Sequence, residues 1–261
     1  MKILFIGDIV GKPGRRAVRE LLPEIIFQYK IDFVIANCEN AAAGFGVTRD
    51  VVEELYSNHI NVLTSGNHIW DKREISEFVG DYETLLRPAN YPAGSPGWGS
   101  VVRPDSSGIS CGVINLMGRV FMKTIECPFR AAEREIEKMK KYTKAIIIDM
   151  HAEATSEKEA MGWFLDGRVS AVLGTHTHVQ TADESILPGG TAYITDVGMT
   201  GPFNSIIGIR KDAVLERFLT QIPNKFDVAK DDVRLQGVII DVDGKNGNAV
   251  GIERLTVHLR D

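Results

Sequence analysis

Five short polar motifs along the chain carry side chains of the types that bind metal ions. They are Gly7-Asp8, Glu39-Asn40, Gly66-Asn67-His68, His151 and His176-Thr177-His178. Carboxylate oxygen, amide oxygen and imidazole nitrogen suit hard and borderline divalent cations, and thiolate is not required. Three or four protein ligands satisfy one ion. The set is therefore large enough for two ions that share a bridging carboxylate, about 3.5–4 Å apart.

Each motif alone also has an ordinary structural explanation. Asp8 can end a strand through an Asx turn, and Asn67 after a glycine can belong to a simple turn. A lone histidine such as His151 is more often a packed core residue than a ligand. His176 and His178 are stronger evidence, because residues two apart in an extended segment point the same way. The combination of all five motifs is what predicts a metal centre.

The elements expected to position these motifs are apolar strands. Buried strands are predicted at Ile3–Ile6, Phe33–Ala36, Asn61–Thr64, Ala145–Ile148 and Ala171–Leu173, each shortly before one of the motifs. Helical periodicity is present over residues 15–29 (with Pro23 as a flaw), 48–56, 71–79, 129–141 and 156–164. Strands that alternate with helices indicate a sheet covered on both faces. Polar residues in such folds collect beyond the carboxyl ends of the strands.

The remaining segments are less regular. Residues 88–108 contain four prolines and several glycines and are predicted to be an irregular surface segment. Residues 110–116 and 191–195 are predicted as further strands. Two alternating runs within 234–259 flank a turn-forming stretch, which predicts a hairpin and hence a mixed or doubled sheet. Residues 198–202 are predicted to be either an ordinary tight turn or a place where backbone approaches a phosphate.

Composition excludes several classes of protein. The chain has 261 residues, a formal net charge of -5 and 44% hydrophobic residues, as in ordinary globular proteins. The mild acidity disfavours a protein that coats nucleic acid, but not a nucleotide substrate, since bound cations supply positive charge locally. The three cysteines lack CxxC spacing, which disfavours disulfides and thiolate zinc and fits a cytoplasmic location. No membrane segment is predicted, because the first apolar run is too short.

In order and spacing the five motifs resemble those of the calcineurin-like metallophosphoesterases. That superfamily has an aspartate motif, a bridging acid, GNH, a histidine and a terminal GHxH. Two positions depart from it: Val10 stands where a histidine ligand is usual, and Glu39 replaces the usual bridging aspartate. Asn40 is the obvious substitute for the missing imidazole. These departures look like the YmdB-like branch, which the chain resembles over nearly its whole length, in stretches such as GDIVGKPGR, NCENAAAGFGVT and TSGNHIWDKRE.

The resemblance implies an α/β fold of metallophosphoesterase type, with two mixed β-sheets packed as a sandwich and flanked by helices. It implies a single domain over residues 1–261 and allows a homo-oligomer. The implied activity is hydrolysis of phosphodiesters, above all 2′,3′-cyclic nucleotides, at a binuclear centre. The implied metal is iron, although manganese, zinc and cobalt are compatible with the same ligands.

The resemblance also assigns roles to the residues. The first metal is expected to take Asp8, Glu39, Asn40 and His178, and the second Glu39, Asn67, His151 and His176. Glu39 bridges the two metals, and a hydroxide that also bridges them attacks phosphorus in line with the leaving oxygen. His68 is expected to protonate that leaving oxygen as general acid, a role that typically contributes about 10²–10⁴-fold.

Other functions remain open on the same residues. A phosphomonoesterase or a nuclease needs the same hydroxide and metals, although no basic groove supports the nuclease. A regulatory protein that senses a nucleotide with little turnover is a further alternative, and a purely structural metal site is the weakest. Phe45 is expected either to stack on a base or simply to pack. Asp71 is expected to begin a helix and not to bind substrate.

Overall fold

A computed structural model describes residues 1–105 and 107–260 of the chain. These residues form six α-helices, named α1 (Gly11–Tyr29), α2 (Arg49–Ser57), α3 (Ile75–Phe78), α4 (Pro128–Met139), α5 (Thr155–Leu165) and α6 (Lys211–Thr220). They also form thirteen strands, named β1 (Lys2–Ile6), β2 (Asp8–Ile9), β3 (Phe33–Asn37), β4 (Val62–Thr64), β5 (Ser100–Pro104), β6 (Ser110–Met117), β7 (Ala145–His151), β8 (Ala171–Thr175), β9 (Ser185–Ile186), β10 (Ala192–Ile194), β11 (Met199–Pro202), β12 (Val233–Val242) and β13 (Ala249–His258).

The strands form two mixed sheets. The first has the order β2-β11-β12-β1-β3-β4, with β13 also paired to β12, and the second has the order β5-β6-β7-β8-β10-β9. β1, β3 and β4 run parallel, as do β6, β7, β8 and β10. Parallel neighbours bring their carboxyl ends to one edge of a sheet, so each sheet has one edge where strand-end residues gather.

The two sheets pack face to face, and helices cover their outer faces. Phe5 and Phe33 from the first sheet share one buried cluster with Ile147 and Leu173 from the second. Helices α1, α2 and α3 pack on the outer face of the first sheet, and α4 and α5 pack on that of the second. The apolar runs are buried on both faces because each strand lies between this shared core and a helix layer. The predicted fold class is confirmed.

Three predicted elements differ from the structure. The segment 88–108 is not wholly irregular, because Ser100–Pro104 pairs antiparallel with β6 as an edge strand, where Pro104 is tolerated. The segment 198–202 is not a turn, because its residues pair with β2 and with β12. The predicted helix 71–79 is reduced to Ile75–Phe78. Asp71 precedes this helix, and its side chain contacts His68.

The described helices include none that is both long and apolar enough to cross a membrane.

Candidate metal centre

The five motifs meet at the edge where both sheets present the carboxyl ends of their parallel strands. Asp8 follows β1, Glu39 follows β3, His151 ends β7 and His176 follows β8. Motifs far apart in the chain touch here: the backbone N–H of His176 donates to Oδ2 of Asp8 at 3.1 Å. The predicted site residues are therefore brought together, and their roles as ligands stay a prediction.

One group of possible ligand atoms surrounds the imidazole of His151. Its Nε2 lies 3.0 Å from Oε1 of Glu39, 3.1 Å from Oδ1 of Asn67 and 3.1 Å from Nδ1 of His176. One atom each from Glu39, His151 and His176 lies within 4.8 Å of the others. Nε2 of His176 faces Oε2 of Glu153 at 3.1 Å, which favours the tautomer that leaves Nδ1 as the ligand.

A second group lies on the other side of Glu39. Nε2 of His178 is 3.1 Å from the side-chain amide of Asn40 and 4.0 Å from Oδ1 of Asp8. The same Asn40 amide lies 3.5 Å from Oε1 of Glu39. Oε1 of Glu39 therefore contacts both groups, so Glu39 lies between them.

The arrangement fits bound cations, because the described protein groups alone leave a buried carboxylate oxygen of the cluster without a hydrogen-bond partner. Oδ1 of Asp8 is buried and, within the described residues, has no hydrogen-bond partner. An unpaired buried carboxylate oxygen is costly unless a cation or donor faces it. Both Asp8 and Glu39 are fully buried, and buried charges in proteins are paired or coordinate metals. The donor set of carboxylates, amides and imidazoles suits divalent metals.

Burial and mutual charge set the protonation of this cluster. Burial raises the pKa of Asp8 above its usual range, although His178 and His151 oppose the shift. Burial would also raise the pKa of Glu39, but the imidazole of His151 and the backbone N–H of His68 lower it to about 2. Burial lowers the pKa of His151, but Glu39 raises it to about 9. Glu39 and His151 therefore favour a charged pair, and a bound cation would displace the proton from His151, since metal ligands must be deprotonated.

A buried chain of hydrogen bonds orients His151. Its Nδ1 lies 2.8 Å from Oγ1 of Thr175, which donates to Oδ1 of Asp149 at 2.7 Å. Oδ2 of Asp149 accepts from Thr64 and Asn37. This arrangement leaves Nε2 of His151 for the metal cluster. Sequence reasoning missed Asp149, although an aspartate inside the apolar run of β7, two residues before His151, was an available signal.

The segment that carries the two neighbouring histidines adopts an unusual backbone. His176 and His178 have φ values of 103° and 65°, a region that non-glycine residues seldom occupy. Thr177 between them donates through its N–H and its hydroxyl to Oδ2 of Asp196, at 3.0 and 2.7 Å. Nζ of the buried Lys158 lies 2.8 Å from the same oxygen. This ion pair therefore holds both histidines in place, and nothing in the motif pattern predicted it.

Replacing Lys158 with methionine tests that anchor. The substitution leaves Asp196 charged and buried without its cation, which typically costs about 3–5 kcal/mol in free energy of unfolding. Urea unfolding measures the loss, with the exposed Lys141→Met as the matched control. We also expect weaker metal binding, because His176 and His178 lose their common anchor. A variant as stable as the control would show that the ion pair contributes little.

Gly66 leaves room for the cluster. A Cβ at this position would lie 2.1 Å from Cδ2 and 2.2 Å from Nε2 of His151, and 2.5 Å from Oε2 of Glu39. Gly66→Ala is therefore expected to displace both side chains and to lower metal content, with an overpacking cost of about 1–3 kcal/mol. Metal analysis of the purified variant measures this. Gly80→Ala is the control, because nothing lies within 4 Å of a Cβ there, and equal metal content in both variants would contradict the prediction.

His68 lies beside the cluster and has a carboxylate partner of its own. Its Nδ1 is 2.7 Å from Oδ2 of Asp71, and its ring packs edge-on against Phe45 at 5.1 Å. Because Nδ1 is engaged, Nε2 is the nitrogen that can meet a ligand. The prediction that Asp71 begins a helix was therefore wrong. Asp71 lies before α3 and orients His68.

These findings together define the class of protein. A four-layer α/β sandwich with acidic, amide and histidine side chains at the carboxyl ends of its strands is the architecture of a metallophosphoesterase. A profile of the YmdB-like protein family matches residues 4–255. The chain belongs to the YmdB-like family, and the predicted membership is confirmed.

Individual relatives agree with this placement. The chain is 50% identical, over 99% of its own length and 97% of the relative's, to a Bacillus subtilis protein named 2′,3′-cyclic-nucleotide 2′-phosphodiesterase. A solved structure of a hypothetical protein from Thermus thermophilus matches with a TM-score of 0.92 at 43% identity, covering 99% of both chains. A Mycoplasma pneumoniae structure described as a novel phosphatase matches with a TM-score of 0.92 at 34% identity, covering 99% of this chain and 93% of the other. The prediction of a phosphodiesterase class of enzyme is confirmed.

Proposed function

We propose that this protein hydrolyses 2′,3′-cyclic nucleotides at a centre of two metal ions. The observation that carries the proposal is the pair of donor groups that share the buried Glu39. His68 lines the same cavity, with Asp71 at its Nδ1. The name of the Bacillus subtilis relative supports the substrate class.

Seven residues would hold the ions. The first ion would take Asp8, Glu39, Asn40 and His178, and the second would take Glu39, Asn67, His151 and His176. When bound, the two cations supply a hydroxide nucleophile at neutral pH and neutralise the phosphate oxygens. Iron is the metal that we propose, and manganese, zinc or cobalt can take its place on the same donors.

The chain itself supplies the proton for the leaving group. His68 lines the cavity, and Asp71 holds its Nδ1, which leaves Nε2 to meet a ligand. In a 2′,3′-cyclic phosphate the bond that breaks joins phosphorus to the ribose 2′-oxygen, and that alkoxide leaves poorly without a proton. We propose that His68 donates that proton, and the product is the 3′-phosphomonoester.

Buried neighbours keep these groups in their working states. The pKa of Glu39, lowered to about 2, keeps the bridging carboxylate charged at neutral pH. Burial lowers the pKa of His176, so His176 is neutral, as a metal ligand must be.

A substrate panel tests the proposed function. We would compare 2′,3′-cyclic AMP, bis-p-nitrophenyl phosphate and p-nitrophenyl phosphate on metal-loaded protein and identify the nucleotide product by chromatography. The proposal predicts turnover of both diesters, formation of 3′-AMP and little monoester hydrolysis. Preferential monoester hydrolysis would move the assignment to a phosphatase. Tight binding of the cyclic nucleotide without turnover would indicate a nucleotide sensor.

A further inference from the structure

The cavity over the metal cluster has both polar and apolar lining. Its volume is about 610 Å³, within the range of small-molecule sites. Glu39, Asn40, His176 and His178 of the cluster line it together with His68. Apolar and aromatic side chains from two separate segments line it as well, among them Phe45, Ile207, Ile209, Phe218 and Phe226. We call these five residues the apolar wall.

Helix α6 faces this cavity and hardly contributes to the core. Val214, Arg217, Phe218 and Gln221 all line the cavity, and their spacing of three, four and seven residues places them on one side of the helix. Of the residues of α6, Val214 alone is buried. Phe218 is 72% exposed at the cavity, so core packing does not explain its aromatic side chain. The helix is therefore placed as a wall of the cavity.

The wall offers aromatic surface beside the metal cluster. Phe45 contacts the ring of His68 at 5.1 Å between centroids, so the wall begins directly beside the proposed general acid. Arg217 and Phe226 line the same cavity, and the guanidinium of Arg217 lies 5.0 Å over the ring of Phe226. A planar heteroaromatic ring on such side chains gains stacking and apolar contact. These contacts are open to every base, because every base has a π-face.

We propose that the apolar wall is the nucleobase subsite of the enzyme. This inference rests on the proposed function, since it places the base of a cyclic nucleotide on the wall while its phosphate lies at the metal cluster. The wall recognises the base by stacking and apolar contact, so the enzyme accepts purines and pyrimidines and prefers nucleotides to diesters that lack a base. Phe218 is the specificity-determining residue that we single out.

A matched pair of variants and a matched pair of substrates test the subsite. Phe218→Ala removes the ring, and Leu219→Ala is the control, because Leu219 is 84% exposed on the same helix and does not line the cavity. The substrates are 2′,3′-cyclic AMP and 1-O-methylribose 2′,3′-cyclic phosphate, which lacks the base. Phe218→Ala should raise KM for cyclic AMP about tenfold with kcat unchanged, and should leave KM for the abasic diester unchanged. Phe218→Tyr should restore the KM for cyclic AMP.

Other outcomes would overturn the subsite. Equal KM values for the two diesters in the unmodified protein would show that the base is not bound. An equal change of KM for both diesters in Phe218→Ala, or the same change in Leu219→Ala, would reduce Phe218 to a structural residue.

A binding measurement separates this inference from the proposed function. Saturation-transfer NMR with adenosine, against ribose as the reference, needs no turnover. An adenosine signal that is lost in Phe218→Ala and kept in Leu219→Ala would support the subsite even if neither diester were hydrolysed. Absence of the adenosine signal in the unmodified protein would overturn the subsite even if both diesters were hydrolysed.

Discussion

Replacing His68 with alanine is expected to lower kcat for 2′,3′-cyclic AMP by about 10²–10⁴-fold while both metals stay bound. The reason is that His68 contacts the cluster through its backbone N–H, which donates to Oε2 of Glu39 at 3.0 Å, and alanine keeps that bond. The imidazole itself is held by Asp71. Steady-state kinetics together with metal analysis by mass spectrometry measures both quantities on one preparation.

The leaving group provides a sharper readout of the same role. A p-nitrophenolate leaves without help from an acid, so His68→Ala should lose much less activity on bis-p-nitrophenyl phosphate than on cyclic AMP. Asp71→Asn should show the same pattern with a smaller loss, about tenfold. The exposed His258→Ala is the control and should retain full activity. Loss of metal from His68→Ala, or equal losses on both substrates, would contradict the assignment of a general acid.

Replacing Glu39 with glutamine is expected to remove both metals and the activity together. The carboxamide has nearly the same shape, but it carries no charge and cannot bind two cations at once. We expect metal affinity to fall by more than about 100-fold, because groups that merely orient a ligand already contribute about 10–100-fold. Equilibrium dialysis against a metal buffer measures the affinity.

The control for this variant is Glu24→Gln, an exposed change on α1. Asp8→Asn should also lower metal affinity and activity, because Oδ1 of Asp8 has no hydrogen-bond partner among the described residues. Unfolding by urea shows whether Glu39→Gln remains folded. A folded Glu39→Gln protein that keeps two metals per chain would refute the bridging role.

The apolar strands and the site motifs were predictable because both have local signatures. The run Ile3–Ile6 is fully buried between helix and sheet layers, which is what a continuous apolar run of this length predicts. Glu39 lies two residues after the end of β3 and His151 ends β7, so a rule about where strands end was enough to expect them together.

The roles of the supporting residues were not predictable, even where a residue such as Asp149 stood out in the sequence, because their partners are far away in the chain. Asp149 and Asp196 act through hydrogen bonds to Thr175 and Thr177, which the pairing of strands brings near. The prediction that Asp71 begins a helix was wrong for a related reason. A helical pattern follows Asp71 in the sequence, but in the structure its side chain binds His68 and the helix begins later.

Helix α6 and the short strands at the edges had too little pattern to predict. The apolar residues of α6 do not face a core, so Phe218 and Leu219 are exposed on it and the helix lacks a clear buried stripe. β11 spans Met199–Pro202 and pairs with β2 and β12 through two residue pairs each. In such short elements, tertiary contacts decide the conformation.

A metal titration of the metal-free protein tests the central claim most directly. We would strip the protein with a chelator, add Mn²⁺, or Fe²⁺ without oxygen, in steps, and measure bound metal per chain and hydrolysis of 2′,3′-cyclic AMP on the same samples. If both ions work together, activity should appear mainly with the second equivalent of metal and reach its plateau near two ions per chain. Full activity at one ion per chain, or activity that survives removal of the metal, would contradict a centre in which Glu39 joins two working ions.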